Sequence, residues 1–122
     1  MNARWAAILF GLVFIAVGIL GFFPNPLVSE TGLFKVNTMH NLVHLLSAAI
    51  LFAGLANPNF GAANALRLLG IVYILVAVLG YFTHTLDFLA IDASDNILHA
   101  ALAVVFLIAG FGLPKGDIVR TA

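Results

Sequence analysis

Residues Thr38 to Ala56 read TMHNLVHLLSAAILFAGLA, an apolar run with no Asp, Glu, Lys or Arg in it and two histidines near its start. About 19 residues at about 1.5 Å each make a helix of about 28 Å, close to the roughly 30 Å hydrocarbon core of a bilayer. The run is continuously apolar rather than alternating. In lipid only helices or closed barrels satisfy every backbone donor and acceptor, so it is read as a helix. Three further stretches have the same character: Trp5 to Phe23, Leu66 to Phe88 and Asn96 to Leu113. Each of the four is about 18 to 23 residues, long enough to span. The expected fold is all-α, an integral membrane antiparallel four-helix bundle forming a single domain over residues 1–122.

Composition leads to the same class. The chain is 63% hydrophobic and 8% charged, against a charged fraction of about 25% in soluble domains. Five basic and five acidic residues cancel, so there is no basic footprint for nucleic acid and none is expected as a partner. With no cysteine, disulfides, zinc–thiolate sites, iron–sulfur clusters and thiolate nucleophiles are excluded.

Breaks fall where proline and glycine stop helices. Pro24-Asn25-Pro26 follows the first run, Asn57-Pro58-Asn59 with Gly61 the second, and Pro114 with Gly116 the fourth. Asp92 or Ser94 can cap the fourth helix, with Asp95 near its positive end. The first run is longer than the apolar core of a signal peptide, about 7 to 15 residues, and ends in Phe22-Phe23-Pro24 without a small-residue cleavage site, so it is expected to be retained. Arg4, Arg67, Lys115 and Arg120 fall on one side of the expected membrane and Lys35 alone on the other. By the positive-inside rule both termini are cytoplasmic. Trp5 and Tyr81 are expected interface anchors.

That topology puts His40, His44, His84 and His99 at one end of the bundle, with Asp87, Asp92 and Asp95. On the second helix Asn37, His40, Asn41 and His44 form one stripe, continued by Ser47 and Ala48. On the third, Tyr73, Ala77, Tyr81, His84 and Asp87 form another; on the fourth, Asp95, Asn96 and His99 share a face running on to Ala103. His44 lies about 6 Å deeper than His40 at about 1.5 Å per residue, so His44 is expected to be better desolvated and His40 to reach water.

Two Asn-x-x-His signatures, Asn41 to His44 and Asn96 to His99, recur at an offset of 55 residues (Asn41 to Asn96). Gly21-Phe22-Phe23 and Gly80-Tyr81-Phe82 recur at an offset of 59 (Gly21 to Gly80), the difference being taken up by a shorter second loop. The halves read as duplicated helical hairpins, parallel repeats about an axis along the membrane normal. His44 and His99 are then equivalent.

Phe34-Lys35-Val36-Asn37 leading into His40-Asn41-Leu42-Val43-His44-Leu45-Leu46, and Asp95-Asn96-Ile97-Leu98-His99 opening the last helix, resemble a family of small bacterial four-span membrane proteins catalogued as domain of unknown function 4383. That pattern often has a glycine soon after each histidine, where this chain has Ser47-Ala48 and Ala103. The resemblance implies a four-helix membrane fold in a bacterial inner membrane. It carries no established activity and so no catalytic residue.

Three functional readings follow. The first is a non-catalytic accessory subunit of a larger membrane complex. Ala7-x-x-x-Gly11 and Gly18-x-x-Gly21 would let helices approach closely, and Asn41 with His44, and Asn96 with His99, would act as structural polar pairs. The second is a haem-, chlorophyll-type pigment- or transition-metal-binding protein. His44 and His99 would be axial ligands of a cofactor, or His40, His44, His84 and His99 with Asp87 or Asp95 would hold a metal. The His-x-x-x-His spacing lacks the glutamate of a metalloprotease helix, and no nucleophile triad or phosphate loop is present, so hydrolysis has no support and a non-catalytic protein is expected ahead of an enzyme. The third, transport, is disfavoured, since the helix centres offer only Ser47 and Tyr73 and no central proline.

Overall fold

The computed structural model describes residues 1–116; Arg120, counted above for orientation, lies outside the described residues. Four helices make up most of it: α1 (Ala3–Leu20), α2 (Thr38–Ala56), α3 (Ala62–Phe82) and α4 (Ala93–Gly112). Each is long and apolar enough to cross a membrane. The first loop adds a two-residue parallel pairing of β1 (Val28–Ser29) with β2 (Phe34–Lys35). Asn25, held between two prolines, organises that loop: its amide donates to the carbonyls of Leu20, Phe23 and Val28 at 3.1, 2.8 and 2.6 Å. Its Oδ1 accepts from the backbone of Leu27 and Val28.

The α2 boundaries are those expected from sequence; the other three helices shift, each for a local reason. Helix α1 begins two residues early because the Asn2 side chain accepts from Trp5 N–H, and it stops at Leu20, ahead of the proline pair. Helix α3 starts at Ala62 rather than Leu66. Gly61, at φ 84°, turns the chain directly into it, and Ala62, Ala63 and Ala65 are buried good helix formers. The same helix ends at Phe82, six residues short of the expected Phe88. Thr83 is extended and its hydroxyl donates to the Leu79 carbonyl at 2.6 Å, the local side-chain bonding by which threonine competes with a helix. His84 and Asp87 are therefore loop residues, not members of an α3 stripe. Helix α4 begins at Ala93 because Asp92, not Ser94, is the cap: Asp92 and Asp95 form a reciprocal capping box.

The core is a seam of small and aromatic residues, among them Ala3, Ala7, Phe14, Ala48, Leu51, Leu66, Leu69, Tyr73, Ala103 and Phe106. The outer surface is apolar too: Leu12, Ile71, Ile108 and Phe111 are exposed. A soluble bundle would put charge there; here the hydrocarbon of the bilayer is the solvent.

Each helix packs chiefly on its own hairpin partner, α1 on α2 and α3 on α4. The same pairs of positions meet in both hairpins. A β-carbon at Gly11 would stand 2.9 Å from the Phe52 ring, and one at Gly70 would stand 2.7 Å from Leu107. Asn41 Oδ1 lies against Gly21 and Asn96 Oδ1 against Gly80. The first residues of these pairs are related by the offset from Gly21 to Gly80 and the second by the offset from Asn41 to Asn96. Those offsets also carry Phe14 onto Tyr73, and Asn37, the cap of α2, onto Asp92, the cap of α4.

Candidate functional site

Three histidines from two hairpins meet at the end of the bundle that carries the loops 21–37 and 83–92. Ring centroids of His40 and His44 are 4.6 Å apart, His40 and His99 5.5 Å, and His44 and His99 6.5 Å. One nitrogen of each lies within 4.8 Å of the others. All three are buried, at 2%, 8% and 3% exposure.

Helix periodicity brings His40 and His44 onto one inward face of α2. What covers them comes from elsewhere in the chain. Asn37 caps α2 by accepting from His40 N–H at 2.9 Å, and its amide donates across to the Phe88 carbonyl at 2.7 Å. The 3₁₀ turn Asp87–Leu89 is thereby held over the start of α2. Within it the Leu89 carbonyl lies 3.0 Å from His40 Nδ1. A carbonyl only accepts, so Nδ1 carries the proton and Nε2 keeps its lone pair. The expectation that His40 reaches water is overturned: it is buried, at 2% exposure, because this turn roofs it. No sequence pattern signals that roof, since the atoms that build it are backbone carbonyls.

Beneath the cluster lie Phe14 and Tyr73, with ring centroids 5.7 Å from His44 and 5.4 Å from His99 respectively. The Tyr73 hydroxyl meets Ser47 Oγ at 2.9 Å. Ser47 already donates its one proton to the Val43 carbonyl, so Tyr73 is the donor to Ser47. Phe14 carries no polar signature that would mark it as a neighbour of the site, although the repeat offset carries it onto Tyr73.

Asp95 is also buried, at 2% exposure. Its Oδ2 accepts from Asp92 N–H at 3.0 Å, and it lines a cavity together with His44 and His99. His84 and Asp87 are placed differently. They pair with each other at 3.1 Å, with the His84 side chain 96% exposed, and stand outside the three-histidine group. Tyr81 is exposed as well, so of the α3 stripe only Tyr73 points fully inward.

Asn41 and His44 are not joined by a hydrogen bond, nor are Asn96 and His99. His44 Nδ1, His99 Nδ1, Asn41 Oδ1 and Asn96 Oδ1 are buried without a partner, although the Asn96 amide donates to the Gly80 carbonyl at 3.2 Å. The two asparagine oxygens rest on glycine α-carbons, a weak C–H···O contact worth well under a normal bond. The two histidine nitrogens have no such substitute.

Four spanning helices with a buried polar group at one end define a small multi-pass membrane protein. The chain belongs to the family described as domain of unknown function (DUF4383), whose family model matches residues 4–112. No curated protein and no solved structure matches it.

Proposed function

We propose that the protein binds one transition-metal ion through His40, His44 and His99. The observation that carries this reading is the pair of unpartnered, buried imidazole nitrogens on His44 and His99 beside a third imidazole whose Nε2 is left free. A buried polar group without a partner costs about 1 to 3 kcal/mol, and an ion removes that cost for several groups together. Neutral imidazole suits zinc, copper, iron and nickel. Metal–nitrogen bonds of about 2.0 to 2.1 Å put tetrahedral ligands about 3.4 Å apart, so the cluster, at up to 4.8 Å, closes on the ion by small side-chain rotations.

Charge supports a fourth ligand. A divalent ion buried at membrane depth is expensive without an anion, and Asp95 occupies the α4 position equivalent to His40 of α2 by the repeat offset. His84 and Asp87 are left out of the set. Haem or a chlorophyll-type pigment is less well supported, since the cavity beside His44 and His99 is about 100 Å³, below the roughly 300 to 1,000 Å³ of ordinary organic-ligand pockets. Transport is disfavoured further by the hydrogen bond that Tyr73 donates to Ser47, which satisfies the polar groups nearest the helix centres.

Elemental analysis of protein purified in lipid without added chelator tests the reading: close to one equivalent of a single transition metal is expected. Metal-free protein that copurifies with a larger complex favours the accessory-subunit reading instead, whose support is the exposed aromatic group Tyr81, Phe82 and Phe88 at the histidine end.

Orientation follows from basic residues, with Arg4, Arg67 and Lys115 at the opposite end from the histidines and Lys35 at the histidine end. We place the protein in a bacterial inner membrane with the termini cytoplasmic and the histidines toward the outer face. A reporter fused after Ala122 should be cytoplasmic, and one inserted between Pro24 and Lys35 external. The reverse result would put the metal site on the cytoplasmic face.

A further inference from the structure

An ion bound for His40, His44 and His99 has one way in. Phe14 and Tyr73 lie beneath the group, and its sides are helices whose outer faces meet hydrocarbon, where a charge is costly. The aqueous end is left. Two loops close it, and they are built differently.

The first loop is a fixture. Its residues Val28 and Val36 are buried, at 6% and 1% exposure, and line one cavity with His44 and His99. Five hydrogen bonds to the Asn25 side chain and the pairing of β1 with β2 hold it in place.

The second loop is a small rigid piece on few moorings. Asp87 N–H donates to the His84 carbonyl, Leu89 N–H to that of Leu86 and Ala90 N–H to that of Asp87, so residues 84–90 form one unit. Within that unit only Leu89 is buried. Besides that leucine, two hydrogen bonds moor it to α2: the Asn37 amide to the Phe88 carbonyl, and His40 Nδ1 to the Leu89 carbonyl. Ala90, where the unit joins the chain leading to the α4 cap, is left-handed at φ 54° and ψ 38°. It is the one residue other than glycine with positive φ among the described residues. An alanine side chain disfavours that conformation, and such strain persists only where the surroundings hold it, as in clamps and switches. Releasing the two bonds lets Ala90 relax and takes the roof off His40.

The mooring on His40 also bears on the ion. A histidine bound to a metal through one nitrogen donates its other N–H to a carbonyl or carboxylate in nearly every case, and losing that outer partner costs about 10- to 100-fold in affinity. Here the partner belongs to the movable piece. We propose that residues 84–90 are a lid on the metal site, open to admit the ion from the adjoining aqueous phase and closed over it when the Leu89 carbonyl takes the His40 proton donor. The lid rests on the metal reading above. Closure and binding then favour one another by the same factor.

The test uses full-length protein in lipid nanodiscs loaded with cobalt(II), whose visible absorption reports the ion and its loss to EDTA. Asn37→Ser keeps the cap of α2, since serine serves there as well as asparagine, but its short hydroxyl cannot span to Phe88. Ala90→Val works from the other end, because a β-branched residue is an outlier at positive φ. Each variant should release cobalt about tenfold faster or more, with helix content unchanged. In metal-free samples, acylation by diethyl pyrocarbonate, read by peptide mass, should mark the exposed His84 in every protein. It should spare His40 in the native chain and reach it in both variants. His40 labelled to the same extent in all three proteins, or cobalt release that neither variant speeds, would overturn the lid. Acylation needs no metal, so the two readings part. Cobalt bound with release and labelling unmoved removes the lid alone; labelling that follows the variants in protein that binds no cobalt removes the ion and leaves the turn a mere cover.

Discussion

His44→Ala and His99→Ala should each strip the bound metal from the protein, while His84→Ala leaves metal content unchanged and all three variants still insert with full helix content. The contrast follows from position. His44 and His99 converge from α2 and α4 onto one buried group with His40, whereas His84 is solvent-exposed and paired only with Asp87. Loss even of an outer-shell hydrogen bond costs about 10- to 100-fold in metal affinity. Loss of a direct ligand should exceed that, enough to take occupancy after purification from near one equivalent to below about a tenth. His40→Ala should do the same, since the Leu89 carbonyl fixes its tautomer with Nε2 available. Elemental analysis together with circular dichroism in lipid reads both quantities. Equal metal content in all four single-histidine variants would end the metal reading, because His84 could not then be told from the buried three.

Periodicity and composition were enough to read the number and class of the helices, because hydrocarbon demands a long unbroken apolar run for each crossing. The site was legible only in part, and the division is physical. His40, His44 and His99 are found by helical spacing and by the repeat, both of which act through regular backbone. His84 joins the group only if the α3 period runs on through Thr83, where a hydroxyl bonded to the Leu79 carbonyl ends the helix. The burial of His40 was misjudged for a related reason: its cover is a 3₁₀ turn docked by Asn37 onto the Phe88 carbonyl. Contacts from a side chain to a distant backbone atom leave no periodic trace. Phe14 lay between these cases. Nothing about a phenylalanine in an apolar helix marks it, yet the offset that aligns Gly21 with Gly80 places it opposite Tyr73, so the repeat held information that residue type alone did not.

That repeat also predicts where the bundle will not tolerate a methyl group. Gly21→Ala should destabilise the protein by about 1 to 3 kcal/mol, as overpacking of a filled site does, because a β-carbon there would stand 2.7 Å from Asn41 Cγ and closer still to its oxygen. Gly80→Ala should cost about as much, its β-carbon meeting Asn96 Oδ1 in the same way. Gly112→Ala is the control. Nothing lies within 4 Å of its β-carbon, and exchanging glycine for alanine in a helix is favourable by up to about 1 kcal/mol. Reversible unfolding in lipid-mimetic solution measures each difference. The double variants decide the mechanism: Asn41→Ala removes the side chain that Gly21→Ala would strike, so the pair should recover most of the loss, with a coupling of about 1 to 2 kcal/mol. Asn96→Ala with Gly80→Ala should recover less, since Asn96 also donates to the Gly80 carbonyl and such bonds in membranes average about 0.6 kcal/mol. Coupling in both hairpins, with that difference between them, is what two helical pairs built on one glycine–asparagine contact require. If Gly21→Ala and Gly80→Ala are as well tolerated as Gly112→Ala, the close approach is not what holds either hairpin together, and the histidines above it lose the scaffold that aligns them.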